Sequence, residues 1–536
     1  MAEEQDIVEE ADVDVLVIGA GFAGLYAIHR LRQQGLSVRC IEAAPDVGGV
    51  WYWNRYPGAR CDVESLQYSY SFSQELEQEW DWSERFAAQP EILAYLRHVA
   101  DRFDLRRDIT FGRTVTTAVW DEGRRLWAVT TDDGTTLRAR FCVMASGSLS
   151  AFRLPDFPGL SDFKGQAYHT GNWPEIPVDF RGKSVAVIGT GSSGIQAIPV
   201  IAREAAELFV FQRTPNFIIP ARNKPMDDAY QRAWKAEYDV HRAKARLVGT
   251  LYEFSGRGAL EVDADERERE YARRWEKGGV NFVHSFNNIY TDLAANETAA
   301  EFVRDRIREL VQEPDVAETL CPKDHPLGAK RICVASDYFE TYNRDSVRLV
   351  DVRAEPIETV TATGIRTGAR DYAVDIIVFA TGYDALTGAL TRIDIRGISG
   401  RTIQDKWAAG PRNYLGLMTA GFPNMFIVTG PGSPSVLVNM VVGIEHHVDW
   451  IADCLEDLRR RGARTIEAET EAEDAWVAHV NEAAEQTLFV RANSWYLGAN
   501  IPGKPRVFLP YTGGLTRYRD TCAAVAARGY EGFRIR

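Results

Sequence analysis

The sequence predicts an α/β protein with two Rossmann-like dinucleotide-binding domains and an inserted helical subdomain. Two segments of like design each place a β run, a glycine-rich turn and a helix in succession, and the stretch from about 221 to 327 turns charged and helical. At 536 residues the chain has room for about three to five domain-sized cores. A composition of 45% hydrophobic and 26% charged residues excludes a disordered or collagen-like chain.

The first segment runs from Val13-Asp-Val-Leu-Val-Ile18 into Gly19-Ala-Gly21-Phe22-Ala23-Gly24 and a helix to about Gln34. The second runs from Ser184-Val-Ala-Val-Ile188 into Gly189-Thr190-Gly191-Ser192-Ser193-Gly194, then Ile195, Gln196 and a helix to about Glu204. Chance supplies roughly 0.3 G-x-G-x-x-G matches in a chain with 43 glycines, so two matches in the right context are significant. The first glycine makes the tight turn, the second lets backbone N–H groups approach a diphosphate, and the third lets helix pack on strand. The diphosphate then rests on the positive end of the helix.

The residue ending the next β run reads the ribose. After Gly19 that residue is Glu42, a carboxylate suited to 2′- and 3′-hydroxyls, so the first site is expected to take an unphosphorylated adenosine diphosphate, as in FAD. After Gly189 it is Gln212, followed by Arg213-Thr214; a guanidinium in place of a carboxylate suits a 2′-phosphate, so NADPH is expected there. A third strand-to-turn signal, Asp375-Ile-Ile-Val-Phe-Ala-Thr-Gly382, resembles the segment of two-dinucleotide flavoproteins at which the chain rejoins its FAD domain. The expected division is 1–149 and 384–536 for the FAD domain, and 150–383 for the NADP domain with its helical insertion at about 221–327. Helices are expected at 227–248, 263–277 and 298–311.

Lys+Arg 62 against Asp+Glu 76 leaves −14, which argues against a nucleic-acid partner. Seven scattered cysteines without a C-x-x-C point to reduced thiols. The acidic segment Met1 to Asp14 is the reverse of a signal peptide, and the apolar run from Val13 to Ile28 is too short and too glycine-rich to span a bilayer. A cytoplasmic protein is expected, without a membrane partner, as a monomer or weak oligomer.

Two dinucleotide sites on one chain imply hydride passing from nicotinamide to flavin. The missing C-x-x-C argues against a disulfide acceptor, and no G-x-S-x-G or H-E-x-x-H points to hydrolase or zinc chemistry. Dioxygen remains as the common acceptor.

Phe163-Lys-Gly165-Gln-Ala-Tyr-His169-Thr-Gly-Asn-Trp173-Pro174 fills every fixed position of F-x-G-x-x-x-H-x-x-x-W-P, and Gly48-Gly49-Val50-Trp51 and Tyr56-Pro57-Gly58-Ala-Arg60-Cys61-Asp62 form a second signature. On these motifs the chain resembles the Baeyer–Villiger monooxygenases, nearest the phenylacetone and steroid monooxygenase branch. The likeness continues through Gly430-Pro-Gly-Ser-Pro-Ser435-Val-Leu-Val-Asn-Met440 to Gly503-Lys504.

The resemblance implies an NADPH- and O2-dependent enzyme that inserts oxygen beside a ketone carbonyl, through a C4a-peroxyflavin and a Criegee adduct, to give an ester or lactone. It assigns Arg331, of the pair Lys330-Arg331, to stabilising the anionic oxygen species, a task suited to a rigid guanidinium that keeps its charge. Asp62 would orient Arg331, and Lys330 would join Arg213 and Thr214 on the 2′-phosphate. It places Gly19, Gly21, Phe22, Ala23 and Gly24 at the FAD diphosphate and Glu42 at the ribose. Val50, Trp51, Tyr52, Trp53, Asp62, Tyr68 and Met440 would border the flavin, with Val115 toward the adenine. Thr190, Gly191, Ser192, Ser193, Gly194, Ile195 and Gln196 would form the NADP phosphate turn, with Arg60 and Trp495 toward the nicotinamide. The sequence accordingly predicts a basic cluster of Arg60, Arg213, Lys330 and Arg331.

His169 is read as a structural linker residue, and the adjacent His446 and His447 lie about 100° apart on a helix, a poor chelating pair. Val50, Val63, Ser148 and Asn216 depart from relatives and bear on substrate identity. The rival readings are an N- or S-oxygenating flavin-containing monooxygenase and a flavoprotein that merely oxidises NADPH.

Overall fold

A computed structural model describes residues 11–536; positions 1–10 of the acidic segment lie outside the described residues. The apolar runs become two sheets. The first begins with β1 (Val13–Ile18), β2 (Val38–Glu42), β3 (Ile109–Phe111), β4 (Val115–Asp121), β5 (Leu126–Thr131) and β6 (Thr136–Met144). The second contains β7 (Gln166–His169), β8 (Ser184–Ile188) and β9 (Glu207–Gln212). A short parallel pair, β10 (Ile218–Pro220) and β11 (Cys333–Ala335), stands at the two ends of the helical insertion. Next come β12 (Val347–Asp351), a three-stranded meander of β13 (Ile357–Thr361), β14 (Gly364–Thr367) and β15 (Asp371–Ala373), and β16 (Ile376–Phe379). Finally β17 (Asp394–Arg396) and β18 (Met425–Ile427) return to the first sheet.

The first sheet runs β17-β4-β5-β6-β1-β2-β3, with β18 beside the end of β6. β1 is apolar at nearly every position because parallel strands are covered on both faces. Val15 and Val17 pack with Leu25, Ile28 and Leu31 of the helix Phe22–Gln33, while Leu16 and Ile18 face Trp127, Val129 and Phe422. The second sheet, β12-β9-β8-β16-β7, is parallel throughout. Its edge strand β7 lies inside the F-x-G-x-x-x-H motif, read above as a linker. Gly165 makes this pairing possible, since a Cβ there would sit 2.3 Å from Asp375 O.

The insertion is helical at Asp228–Ala236, Tyr238–Val248, Ala264–Lys277, Leu293–Leu310 and Pro314–Leu320. The expected 227–248 helix is two helices broken at Glu237, whose φ of −116° and ψ of 18° leave the helical region. The expected 298–311 helix begins five residues earlier because Asp292 caps it, accepting from Ala294 N and Ala295 N.

The chain leaves the first sheet and returns to it along neighbouring paths. Asp384 N donates to Ala151 O at 2.8 Å, Leu386 N donates to Ser148 O at 2.8 Å, and Phe152 bridges Tyr383. His169 is wedged at this crossing. Its Nδ1 accepts from Gly171 N at 2.9 Å and its ring lies 4.8 Å from Phe152. Burial lowers its pKa to about 4, as befits a neutral structural imidazole. Among the described residues no helix is long and apolar enough to cross a membrane, no His/Cys/Asp/Glu group is arranged for a metal, and all seven cysteines are buried free thiols.

Candidate active site

Both glycine-rich turns have the same construction. Gly19 and Gly189 have φ of +102° and +109°, and a Cβ on each would lie 2.7 Å from Ala145 O and 2.4 Å from Ala380 O, respectively. A Cβ on Gly24 would lie 1.8 Å from Gly19 O, and one on Gly194 would lie 2.1 Å from Gly189 O. Gly24 and Gly194 therefore set the helix against the strand, the close packing expected of the third glycine. Ile195 is likewise fully buried in the core. Neither helix has a side-chain cap at Gly21 or Gly191, so first-turn N–H groups stay open to an anion. This fits two dinucleotide diphosphates.

One cavity of about 1880 Å³ joins the two turns. It reaches Gly19, Gly21, Phe22, Ala23, Glu42 and Val115 at one end, and Thr190, Gly191, Ser192, Ser193, Gln196, Arg213 and Thr214 at the other. Between them it is lined by Val50, Trp51, Trp53, Arg60, Asp62, Tyr68, Lys330, Arg331, Met440 and Trp495. Tyr52, expected beside the flavin, does not line this cavity. Its hydroxyl is bonded to Glu175 and its ring lies under Arg55 at 4.3 Å.

Glu42 is buried at the end of β2 and accepts from Ala20 N at 2.6 Å and Ala44 N at 2.8 Å. Burial raises its pKa against those hydrogen bonds. Gln212, its counterpart in the second unit, instead donates from Nε2 to Thr319 O at 2.9 Å and so turns toward the insertion. The end of β9 thus carries no counterpart of the Glu42 carboxylate.

Arg331 precedes β11 and so projects from the neck of the insertion. Its Nε donates to Asp62 Oδ2 at 2.9 Å, its Nη2 to both Asp62 oxygens at 2.8 Å, and its Nη1 to Val436 O at 2.9 Å. Burial works against its charge, yet Asp62 together with Tyr496 and Tyr252 keeps its pKa raised. The buried Tyr496 and the half-buried Tyr252, missed in the sequence, act on the same guanidinium; Tyr496 adjoins Trp495, the one signal that could have marked it.

Asp62 is held by a loop lying on the second unit. Tyr56 Oη donates to Gln196 Oε1 at 2.8 Å, Gln196 Nε2 donates to Arg60 O at 3.1 Å, and a Cβ on Gly58 would lie 2.3 Å from Gln196 O. The four cations expected as one basic cluster are divided. Arg331 is paired with Asp62, and Arg60 with Glu84 at 2.6 Å. Arg213 and Lys330 make no hydrogen bond or ion pair among the described residues. Burial and the charges of Arg213 and Arg353 lower the pKa of Lys330 against the pull of Asp324. Asn216, expected to bear on substrate, donates to Thr190 O at 2.6 Å and so fixes the phosphate turn.

Trp495 lies in the short turn Trp495–Leu497, and the segment around it covers the middle of the cavity. That segment is fastened by Asn500 Nδ2 donating to Tyr383 O at 2.7 Å and Lys504 Nζ donating to Ala385 O at 3.1 Å.

The flavin-binding monooxygenase-like family model matches residues 12–233. The chain is 45% identical over 526 residues to a Baeyer-Villiger monooxygenase of Pseudooceanicola batsensis, covering 97% of this chain and 96% of that one. It is 43% identical over 528 residues to an acetone monooxygenase (methyl acetate-forming) of Gordonia sp., covering 98% and 99%. An oxidized steroid monooxygenase bound to NADP superposes with a TM-score of 0.94 at 56% identity, over 98% of this chain and 99% of that one.

Proposed function

The chain belongs to the Baeyer–Villiger monooxygenases, and from that premise we propose how its residues divide the work of the reaction. It is an NADPH-dependent, FAD-containing enzyme that inserts one atom of O2 beside a ketone carbonyl, giving an ester or lactone. FAD, when bound and reduced by NADPH, activates O2 and supplies the oxygen atom.

The first glycine turn and Glu42 hold the FAD diphosphate and ribose, and Trp51, Trp53, Tyr68 and Met440 border its ring. The second turn holds the NADP diphosphate, with Arg213, Thr214 and Lys330 at the 2′-phosphate. Arg331 stabilises negative charge that develops on oxygen during insertion, a role for which a fixed donor facing the cavity is suited. Asp62 fixes the plane of that guanidinium, leaving part of its donor fork for the reacting oxygens. The apolar wall of Val63, Val436, Val438 and Met440 favours a ketone with apolar substituents. The acidic exterior and buried thiols support a cytoplasmic setting, and the cofactor contacts expected here involve a single chain.

The observation that carries this reading is the Arg331–Asp62 pair facing the middle of a cavity that joins two phosphate turns. Incubation with NADPH, 18O2 and a panel of ketones tests it. One labelled oxygen in an ester is expected; hydrogen peroxide released in step with NADPH use, with no ester from any ketone, overturns it.

A further inference from the structure

The second ribose site contains a third cation that no motif marked. β12 runs parallel to β9 with Asp351 opposite Gln212, and Val352 N donates to Gln212 O at 2.9 Å. The residues just beyond the two strand ends, Arg213-Thr214 and Arg353, therefore emerge at the same level. Arg353 Nη2 donates to Thr214 Oγ1 at 3.0 Å, and Arg353 lines the same cavity as Arg213 and Lys330. Its other partner is Asp324, which also bonds His325 Nδ1 at 2.6 Å. Asp324 follows the helix Pro314–Leu320, whose Thr319 O anchors Gln212, so both ends of the site are tied to one element.

The charges here are complementary to a particular ligand. Arg213, Lys330 and Arg353 are three cations facing one carboxylate, Asp324, so the surplus is two positive charges. A phosphate monoester carries about two negative charges near pH 7. Without Arg353, Asp324 would face that phosphate with only Lys330 and the neighbouring His325 to offset its charge.

We propose that Arg353 is a further determinant of the preference for a 2′-phosphorylated nicotinamide cofactor, and that Asp324 is a positioning residue that holds its guanidinium beside Thr214. This rests on the reading that the Arg213–Lys330 cleft takes the 2′-phosphate. Arg353 then acts twice, donating to the phosphate and shielding it from Asp324.

The experiment measures the ratio of kcat/KM for NADPH to that for NADH, together with competitive inhibition by adenosine 2′-monophosphate and 5′-monophosphate. Arg353→Ala is expected to lower the ratio about tenfold or more and to weaken the 2′-monophosphate selectively, the scale of losing one charge-assisted hydrogen bond. Asp324→Asn added to Arg353→Ala is expected to recover much of the loss, because the exposed like charge is removed. A ratio unmoved by Arg353→Ala while Arg213→Ala collapses it overturns the proposal. Losses that multiply in the double variant overturn the role of Asp324. A ratio unmoved by Arg213→Ala overturns the underlying 2′-phosphate reading instead.

Discussion

Arg331 and Asp62, 269 residues apart in sequence, share three hydrogen bonds of 2.8–2.9 Å across the boundary between the neck of the insertion and the Tyr56–Asp62 loop. The carboxylate occupies Nε and Nη2, and the remaining terminal nitrogen donates to Val436 O. The donor fork is thereby oriented before any substrate arrives, which is what electrostatic stabilisation requires. Arg331→Ala is expected to lower ester formation by about 100- to 1000-fold, the usual effect of removing such a donor. Anaerobic bleaching of the flavin by NADPH should persist. Product analysis beside stopped-flow absorbance checks both, and ester formation at the wild-type rate refutes the role.

Arg213 has no carboxylate partner among the described residues and stands beside Lys330. Arg213→Ala is expected to shift preference from NADPH toward NADH through the KM for NADPH. Steady-state kinetics with each cofactor decide this, and an unchanged preference would remove the guanidinium from the 2′-phosphate site.

The third glycines offer a paired test. Gly24→Ala drives a methyl into Gly19 O, and Gly194→Ala drives one into Gly189 O. The first variant should purify with little FAD. The second should keep FAD but show a raised KM for NADPH. Flavin content per chain, read from the visible spectrum, separates the two sites.

Glu473 is fully buried, accepts from Lys406 Nζ at 2.5 Å and Ala420 N at 2.8 Å, and lies far from any cofactor turn in sequence. Glu473→Ala leaves a buried ammonium unpaired and is expected to destabilise the fold by about 3–5 kcal/mol. Thermal unfolding checks this, and a loss below about 1 kcal/mol would mean that the pair is screened by water.

The histidine at the crossing predicts a pH dependence. The folded pKa of His169 is about 4, below its ordinary 6.5, because burial disfavours the cation. Its contribution to stability is therefore present above pH 6.5 and is lost as pH falls toward 4. His169→Asn, which can still accept from Gly171 N–H, should flatten part of the fall in melting temperature between pH 7 and 5. An unchanged slope would show that other groups cause it.

The glycine turns and Glu42 were legible because their chemistry is local, each needing particular residue types at fixed short spacing, whereas the Lys330-Arg331 pair was marked only by the family resemblance. Arg353 and Asp324 were not, since their meaning depends on β12 lying beside β9, a pairing between segments far apart in sequence. Tyr52 gave no clue to its orientation for a related reason. It lies in an aromatic run on a four-residue helix, Val50–Trp53, and only packing against Glu175 and Arg55 decides which rings face inward. The F-x-G-x-x-x-H segment has too few apolar residues to read as a strand, yet β7 forms because β16 offers it an edge.

The twin crossing between the sheets has a mechanical consequence. A single connecting chain is a leash that allows its load to swing and twist freely. Two stretches of the chain hydrogen-bonded to each other along Ser148–Phe152 and Tyr383–Leu386 act instead as an axle, resisting torsion and leaving rotation about one line. Asn500 and Lys504 brace that axle from a third stretch of chain. Motion of the second unit about it would shear the contact of Gln196 with the Tyr56–Asp62 loop, so the alignment of Asp62 with Arg331 becomes a gauge of the angle between the two sheets.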